Sequence, residues 1–166
     1  MRLEATFLLV RVDDRLLHGQ VVYGWGQMIS PRKYLIADDE VAADEWECEA
    51  FRSAAPPDVT VEVISLSAFA EAWVSLPDPS GTVVLLRGLP GLERLVKARF
   101  KVAAGVNLGG LHARPGTREI LPYLHLTKDD EQLLRELLHN GYPLYAQDLP
   151  TSPRHGSKKL LGLIGT

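Results

Sequence analysis

The sequence is poor in several features that other classes of protein require. Cysteine occurs once, as Cys48, so an internal disulfide and a zinc site built on thiolates are both excluded. Long hydrophobic runs are missing, because segments such as residues 7–10 and 83–86 fall far short of the roughly 18 apolar residues of a membrane helix. Basic residues are not in excess: 18 lysines and arginines stand against 21 acidic residues, for a net charge of −3. Nucleic acid is therefore not an expected partner.

What the chain does contain fits one globular domain. Its 166 residues are close to the usual size of a single domain, and 46% of them are apolar. The 14 glycines and 11 prolines are too few for a low-complexity chain. Near the start, Glu4 and Arg11 enclose too few apolar residues for a secretory signal. We therefore expect a cytoplasmic protein with a sizeable hydrophobic core.

The hydrophobic pattern predicts an α/β fold. Short apolar runs bounded by turn residues alternate with stretches of helical period, which is typical of parallel strands joined by crossover helices. Strands are expected at residues 7–12, 34–37, 59–64, 82–86, 101–108, 119–126 and 143–147. The predicted architecture is a doubly wound, mostly parallel open sheet with helices on both faces, forming one domain over residues 1–151. Residues 152–166 are expected to form a loosely attached C-terminal tail of unknown role.

Five helices are expected between these strands. They are placed at 21–29, 44–54 and 68–76, after Gly88 and Pro90, and from a capping box at Thr127 to Asn140. Trp25 and Met28 share the apolar face of the first helix, and Trp46 lies on that of the second. Ser67 is the expected N-cap of the third helix, and Trp73 is expected in the core.

The densest group of functional side chains follows the first predicted strand. It contains two arginines, two aspartates, a histidine, a glycine and a glutamine, in the order Arg11, Asp13, Asp14, Arg15, His18, Gly19 and Gln20. Open α/β sheets bind ligands at the carboxyl ends of their strands, and the free N–H groups at the start of a helix favour an anion. The sequence therefore predicts an anion site here, with Arg11, Gly19 and Gln20 as candidate phosphate contacts.

A phosphoryl group carried on His18 would use most of these groups. A histidine side chain is mostly neutral at pH 7 and can attack as a base, and the helix dipole favours the phosphohistidine dianion. Arg15 has the fork geometry for phosphoryl oxygens, and Asp13 or Asp14 would orient the arginine or a ring nitrogen. Neither a metal nor another cofactor is required. The alternative is a solvated cap with surface ion pairs, a common role for such loops.

A second polar group follows the strand predicted at 101–108. Asn107, Gly109, Gly110 and His112 are candidate phosphate contacts on another rim of the same cleft, since glycines let backbone N–H groups approach an anion. The alternative is a tight turn, which is nearly as good an interpretation for His112 and a better one for Arg114.

The remaining polar residues are assigned structural roles. Asp38, Asp39 and Glu40 are interpreted as a solvated loop, because no second cluster completes a metal site. His125 lies in a strand pattern, and His139 lies near a helix end where a cation suits the dipole.

The run RVDDRLLHGQV at residues 11–21 closely resembles the phosphorylation-site signature of a known family. The family is the IIB components of the mannose/fructose/sorbose class in the bacterial phosphoenolpyruvate-dependent sugar phosphotransferase system. The resemblance continues through IADDEVAADE at 36–45, AAPP at 54–57, NLGGLH at 107–112 and QDLPT at 147–151. It implies a mostly parallel sheet whose first loop carries the phospho-accepting histidine at His18. Arg15 matches the family's phosphate-binding arginine, and Asp13 and Asp14 match its acidic pair.

The resemblance also implies partners. In this family the histidine receives a phosphoryl group from a phosphohistidine of a IIA protein and passes it to a sugar held by membrane IIC and IID proteins. We therefore expect a histidine–sugar phosphotransferase component that associates peripherally with the membrane through its permease, with self-association left open. Two alternatives remain: a regulatory protein that senses phosphorylation on the same fold, and a phosphatase or mutase acting through phosphohistidine. The residues alone do not specify the sugar.

Overall fold

Six parallel strands form the central sheet. In this computed structural model, which describes residues 4–165, their order across the sheet is β3-β2-β4-β1-β5-β8. The strands are β1 (Leu9–Asp13), β2 (Lys33–Ala37), β3 (Thr60–Ile64), β4 (Thr82–Leu86), β5 (Val106–Gly110) and β8 (Leu144–Ala146). A separate antiparallel pair consists of β6 (Arg118–Leu121) and β7 (Leu124–Leu126). The central position of β1 places its carboxyl end between those of β4 and β5.

Helices cover both faces of this sheet. A π-helix at Gln20–Trp25 continues into α1 (Gly26–Ile29), and it is followed by α2 (Asp39–Ala42), α3 (Glu45–Ala54), α4 (Leu66–Ala72), α5 (Leu89–Lys97), α6 (Lys128–His139) and α7 (Ser157–Ile164). Side chains alternate across each strand, so neighbouring residues contribute to different cores. Val10 and Val12 pack with Phe69 and Phe100 on one face, whereas Leu9 packs with Val21 on the other. The predicted doubly wound α/β class is confirmed.

Two predicted strands are divided differently in the structure. The segment 101–108 contains only an isolated bridge at Val102 before β5 begins at Val106. The segment 119–126 folds back on itself as the β6–β7 hairpin. Pro122 lies between these two strands and has no N–H to donate, which favours a turn over a continuous strand.

Three side chains on the predicted helices lie elsewhere than expected. Met28 is 69% exposed, because the wider π-helical turn before it shifts the positions that follow out of α-helical phase. Trp46 is 87% exposed in the first turn of α3, and Cys48 faces the core instead. Ser65, rather than Ser67, caps α4 by accepting a hydrogen bond from the backbone N–H of Ala68. Trp25 and Trp73 are buried as predicted.

The prediction of a loosely attached tail is wrong. Residues 157–164 form α7, which packs against α6 with Leu160 and Ile164 buried in the main core. The Ser157 hydroxyl donates to the Leu144 carbonyl, and His155 exchanges two backbone hydrogen bonds with Ala146. The sequence suggested a loose tail for two reasons. The amphipathic segment that contains Leu160 and Ile164 is only eight residues long, and it follows a polar, proline-containing stretch that resembles a linker.

Replacing Leu160 with alanine tests whether α7 is an integral part of the domain. We expect the Leu160→Ala variant to lose about 2–5 kcal/mol of unfolding free energy, because the truncation leaves a cavity in a closed core. Lys158→Ala, on the exposed side of the same helix, should change stability by less than about 0.5 kcal/mol. Equal urea midpoints for both variants and the parent would show that the helix does not contribute to the core.

Candidate active site

The loop after β1 is held firmly against the sheet. The backbone N–H of Asp14 donates to the Gly110 carbonyl at 2.9 Å, and that of Leu16 donates to the Asp13 carbonyl at 2.9 Å. Leu16 adopts a left-handed conformation with φ of 57°, which is unfavourable for a leucine. Its side chain and that of Leu17 are buried in the core, and this burial offsets the strain. The polar side chains on either side are therefore presented from a fixed backbone.

His18 and Asp13 form the central pair of the site. Nε2 of His18 lies 2.8 Å from Oδ2 of Asp13, and the histidine side chain is 16% exposed. Burial alone would raise the pKa of Asp13, but the hydrogen bond from His18 and the charge of Arg11 outweigh it and hold the pKa below its ordinary value. An ionised carboxylate can only accept hydrogen bonds, so Nε2 of His18 carries a proton. The Nδ1 tautomer is thereby disfavoured, and a lone pair for attack can only be that of Nδ1.

Arg11 lies beneath this pair and is completely buried. Its guanidinium donates to Oδ2 of Asp13 at 3.0 Å, to Oδ1 of Asn107 at 2.9 Å and to the Asp148 carbonyl at 2.9 Å. The ring of Trp25 lies 5.8 Å away and donates its own N–H to the same Asp148 carbonyl. Burial lowers the pKa of Arg11, although Asp13 opposes that effect. The arginine therefore positions Asp13 from inside the protein.

Four of the candidate phosphate contacts do not reach the cleft. Arg11 and Asn107 are fully buried and are already bonded to each other and to protein carbonyls. Gly109 and Gly110 lie within β5, where their missing side chains leave room for Arg11 and Asp13 respectively. These four residues are therefore not placed to contact a phosphate directly, contrary to the prediction from the sequence. Their role is to accommodate the buried arginine and its carboxylate partner.

Three other candidates are at least partly exposed beside His18: Arg15, Gly19 and Gln20. Arg15 has a side chain that is 42% exposed, with Nη2 donating to Oε1 of Gln20 at 2.9 Å and Nε 3.5 Å from Oδ1 of Asp13. The π-helix begins directly after Gly19, and no side chain caps that end. A partly exposed cation and a helix start without a side-chain cap, next to a histidine, form a favourable environment for an anion.

Asp14 and His112 meet at the edge of the site. The carboxylate of Asp14 accepts the backbone N–H of His112 at 2.7 Å and lies 2.6 Å from its ring Nδ1. The sequence predicted that residues after β1 and β5 share one cleft, and the structure brings these two together. His112 is nevertheless committed to Asp14 through its backbone and through one ring nitrogen.

The other residues singled out from the sequence have structural partners. Asp38 is buried, caps α2 and pairs with Arg87 at 3.0 Å, so the prediction of a solvated loop is wrong for this residue. Arg114 binds Asp130, and His125 lies near the Leu111 carbonyl.

Among residues 4–165 no group of three potential metal ligands comes together. No helix in the same part of the chain is long and apolar enough to cross a membrane.

The sequence analysis did not identify the groups that surround the guanidinium of Arg11. Trp25 was interpreted only as core, and the carbonyls of Gln147 and Asp148 were not considered, although both accept from Arg11. The available signal was the position of residues 147–151 directly after the last predicted strand. Carboxyl ends of parallel strands meet at one edge of a sheet, so this segment had to lie near the β1 loop.

Comparison with known proteins decides the family. Residues 7–164 match the family described as PTS system sorbose subfamily IIB component. The chain belongs to this family. The resemblance seen at residues 11–21 is therefore confirmed over almost the whole chain, and this IIB chain is a component of the sugar phosphotransferase system.

Curated relatives and solved structures agree with this assignment. The sorbose-specific EIIB component of Klebsiella pneumoniae is 32% identical over 146 residues, which cover 87% of this chain and 88% of that protein. The mannose-specific EIIAB component of Escherichia coli K12 is 30% identical over 157 residues, and the match spans 94% of this chain but only 47% of that protein. The chain thus covers about half the length of these EIIAB relatives.

The solved structures match over nearly their full length. The IIBSor domain of the sorbose permease from Klebsiella pneumoniae superimposes with a TM-score of 0.81 at 29% identity, covering 95% of this chain and 96% of that one. A protein described as manxB from Thermoanaerobacter tengcongensis gives a TM-score of 0.82 at 26% identity, covering 96% and 98%. The family match, which extends to residue 164, includes α7.

The ionised state of Asp13 predicts an acid-dependent loss of stability. Because its pKa is lower in the folded protein than the ordinary value, the stabilisation is complete above the unfolded pKa of about 3.9 and is lost as the pH falls through the folded pKa. We expect the unfolding free energy to fall less between pH 5 and pH 2 in Asp13→Asn than in the parent. Asp58→Asn, at an exposed position, should retain the parental acid slope. A parental slope in Asp13→Asn would contradict the assignment.

Proposed function

We propose that the chain is a phosphocarrier that accepts a phosphoryl group on His18 from a IIA phosphohistidine and passes it to a sugar at a membrane IIC/IID permease. The observation that carries the proposal is the 2.8 Å contact between Nε2 of His18 and the buried carboxylate of Asp13. This contact fixes the proton on Nε2 and leaves Nδ1 as the nucleophile. Family membership supports the same chemistry.

In the accepting step, the lone pair on Nδ1 of His18 attacks the phosphorus of the donor. A new N–P bond forms as the donor's N–P bond breaks, and the donor ring keeps the released electron pair. The phosphorylated ring carries more positive charge than the free ring. The carboxylate of Asp13, bonded at Nε2, stabilises that charge without moving, because Arg11 holds it from below.

In the donating step, a sugar hydroxyl oxygen attacks the same phosphorus and gives up its proton to water. The N–P bond breaks, and its electron pair returns to Nδ1. No metal is needed in either direction, because a phosphohistidine is already an activated donor and the protein has only to position it.

Arg15, Gly19 and Gln20 are the proposed phosphate contacts. Arg15 is bonded to the Gln20 amide before transfer, and its guanidinium remains partly exposed. Exchanging this neutral acceptor for phosphoryl oxygens gives a charge-assisted bond, which is stronger. The uncapped start of the π-helix after Gly19 adds N–H groups on the same side. Asp14 is not one of the proposed phosphate contacts, because its carboxylate binds His112 and stabilises the β1 loop.

The proposed partners follow from the proposed function. A separate IIA protein or domain supplies the phosphoryl group, and a IIC/IID permease holds the sugar, so the carrier works in the cytoplasm at the membrane surface. The EIIAB name of the mannose-specific relatives, which are about twice as long as the matched region, supports a IIA donor.

The proposal predicts a phosphoprotein of defined chemistry. Incubation with phosphoenolpyruvate, the general phosphotransferase proteins and a IIA protein should give an acid-labile, alkali-stable phosphate on the parent and on His139→Ala, but none on His18→Ala. Nitrogen-coupled phosphorus NMR should place it on Nδ1. Label retained by His18→Ala would remove this residue from the mechanism.

The same phosphoprotein separates the alternatives. Transfer of its phosphate to a sugar should require permease-containing membranes. Stable phosphorylation with no sugar transfer across a panel of hexoses and such membranes would favour a regulatory sensor. Turnover of a small phosphomonoester by the isolated chain would favour a phosphatase or mutase.

Arg15→Ala should fold normally and accept phosphate more slowly. A hydrogen bond to a charged group contributes about 1.5–3 kcal/mol, so we expect a fall of roughly 10- to 100-fold in the rate of acceptance, measured by rapid-quench labelling. The matched control is Arg52→Ala, which removes an exposed arginine of α3 that binds Glu45 and Glu49. Equal rates for the two variants would refute the role of Arg15.

A further inference from the structure

The contact between Asp14 and His112 joins two loops at two points. One oxygen of the Asp14 carboxylate accepts the backbone N–H of His112 at 2.7 Å, and the other lies 2.6 Å from Nδ1 of its ring. The backbone N–H of Asp14 also donates to the Gly110 carbonyl. A single residue of the β1 loop therefore makes three hydrogen bonds to the segment that ends β5.

The far side of this contact is itself anchored. Leu111, directly before His112, donates to the Tyr123 carbonyl at 2.9 Å and accepts from the His125 backbone N–H at 2.7 Å. Leu111 and Leu124 are both buried in the main core. The β5 segment up to Leu111 is thus a rigid support, and the exposed side chain of His112 extends that support to the β1 loop.

The contact with His112 adds to the backbone hydrogen bonds that hold the part of the β1 loop that side-chain burial does not fix. Asp13 is fixed by Arg11, and Leu16 and Leu17 are fixed by burial. The backbone of Asp14 and Arg15 lies between these anchors at the surface. Arg15 keeps its N–H on Oδ1 of Asp13 at 3.0 Å only while this stretch holds its conformation.

We propose that His112 is a positioning residue for phosphoryl transfer: through Nδ1 and Asp14 it holds the β1 loop so that Arg15 is in place before the donor arrives. The proposal rests on the proposed function but assigns His112 no contact with phosphate, sugar or partner. Its ring Nδ1–H is the group that matters. A variant that presents an N–H at the same place should therefore substitute for histidine.

Three substitutions at one position test this directly. In His112→Asn the amide nitrogen is bonded to Cγ, as Nδ1 is, so the donor to Asp14 is retained. In His112→Gln the amide nitrogen lies one atom further out, at the place of Nε2, and His112→Ala has no donor. All three keep the backbone N–H that binds Asp14. We expect acceptance from phosphorylated IIA to lose about five- to tenfold in kcat in the glutamine and alanine variants, with less than a twofold loss in the asparagine variant.

The Michaelis constant for phosphorylated IIA separates positioning from docking. It should stay within twofold of the parental value in every variant, because His112 is not proposed to touch the donor. A raised KM with unchanged kcat would make His112 a docking residue and overturn the proposal. Retained activity in His112→Gln with loss in His112→Asn would point to a contact made by Nε2, and this result would also overturn it.

A measurement on the unphosphorylated chain makes the test independent of the transfer assay. Amide hydrogen exchange at Arg15 and Leu16 should accelerate several-fold in His112→Ala and His112→Gln, but not in His112→Asn. His139→Ala, at the exposed end of α6, is the matched control. Unchanged exchange in all three His112 variants would refute the support. If the parent chain accepts no phosphate, the proposed function fails while the exchange result still decides the role of His112.

Discussion

The site depends on a positive charge buried inside the protein. The guanidinium of Arg11 is entirely removed from water, and it is tolerated because Asp13, Asn107 and backbone carbonyls of three residues accept its hydrogen bonds. Removing one partner of a buried pair costs about 3–5 kcal/mol, since the other charge is left without compensation. Asp13 is therefore fixed in place and in charge state before any ligand binds. A fixed carboxylate is what defines the tautomer of His18.

This buried ion pair explains the composition of the neighbouring strand. Asn107 pairs with Arg11 across β1 and β5 and bonds to its guanidinium, while Gly109 and Gly110 leave the space that Arg11 and Asp13 occupy. A side chain at Gly109 would overlap the guanidinium. The NLGG run is thus a consequence of packing around the arginine, and its glycines affect the site only through the positions of Arg11 and Asp13.

Sequence alone predicted the parts of the molecule that follow from local pattern. The parallel strands were recognisable from short apolar runs, and the capping box of α6 is formed by Thr127 and Asp130 as expected. The association of Asp13, Arg15 and His18 was recognisable from their spacing at the end of a strand. The burial of Arg11 was not, because arginine is usually exposed and only the tertiary structure shows how many carbonyls converge on it. Trp46 and Met28 were misplaced because helical phase near a π-turn or a helix end is not fixed by sequence spacing.

The segment that follows β8 has a consequence for the integrity of the sheet. β8 is an outermost strand, bonded to β5 on one side, and His155 occupies the backbone groups of Ala146 on the other. An uncovered strand edge is a template for pairing with other chains. A version of the protein shortened after residue 151 would lose both the hydrogen bonds from His155 and the apolar packing of α7. It would be prone to self-association through β8, although its β1 loop would be untouched.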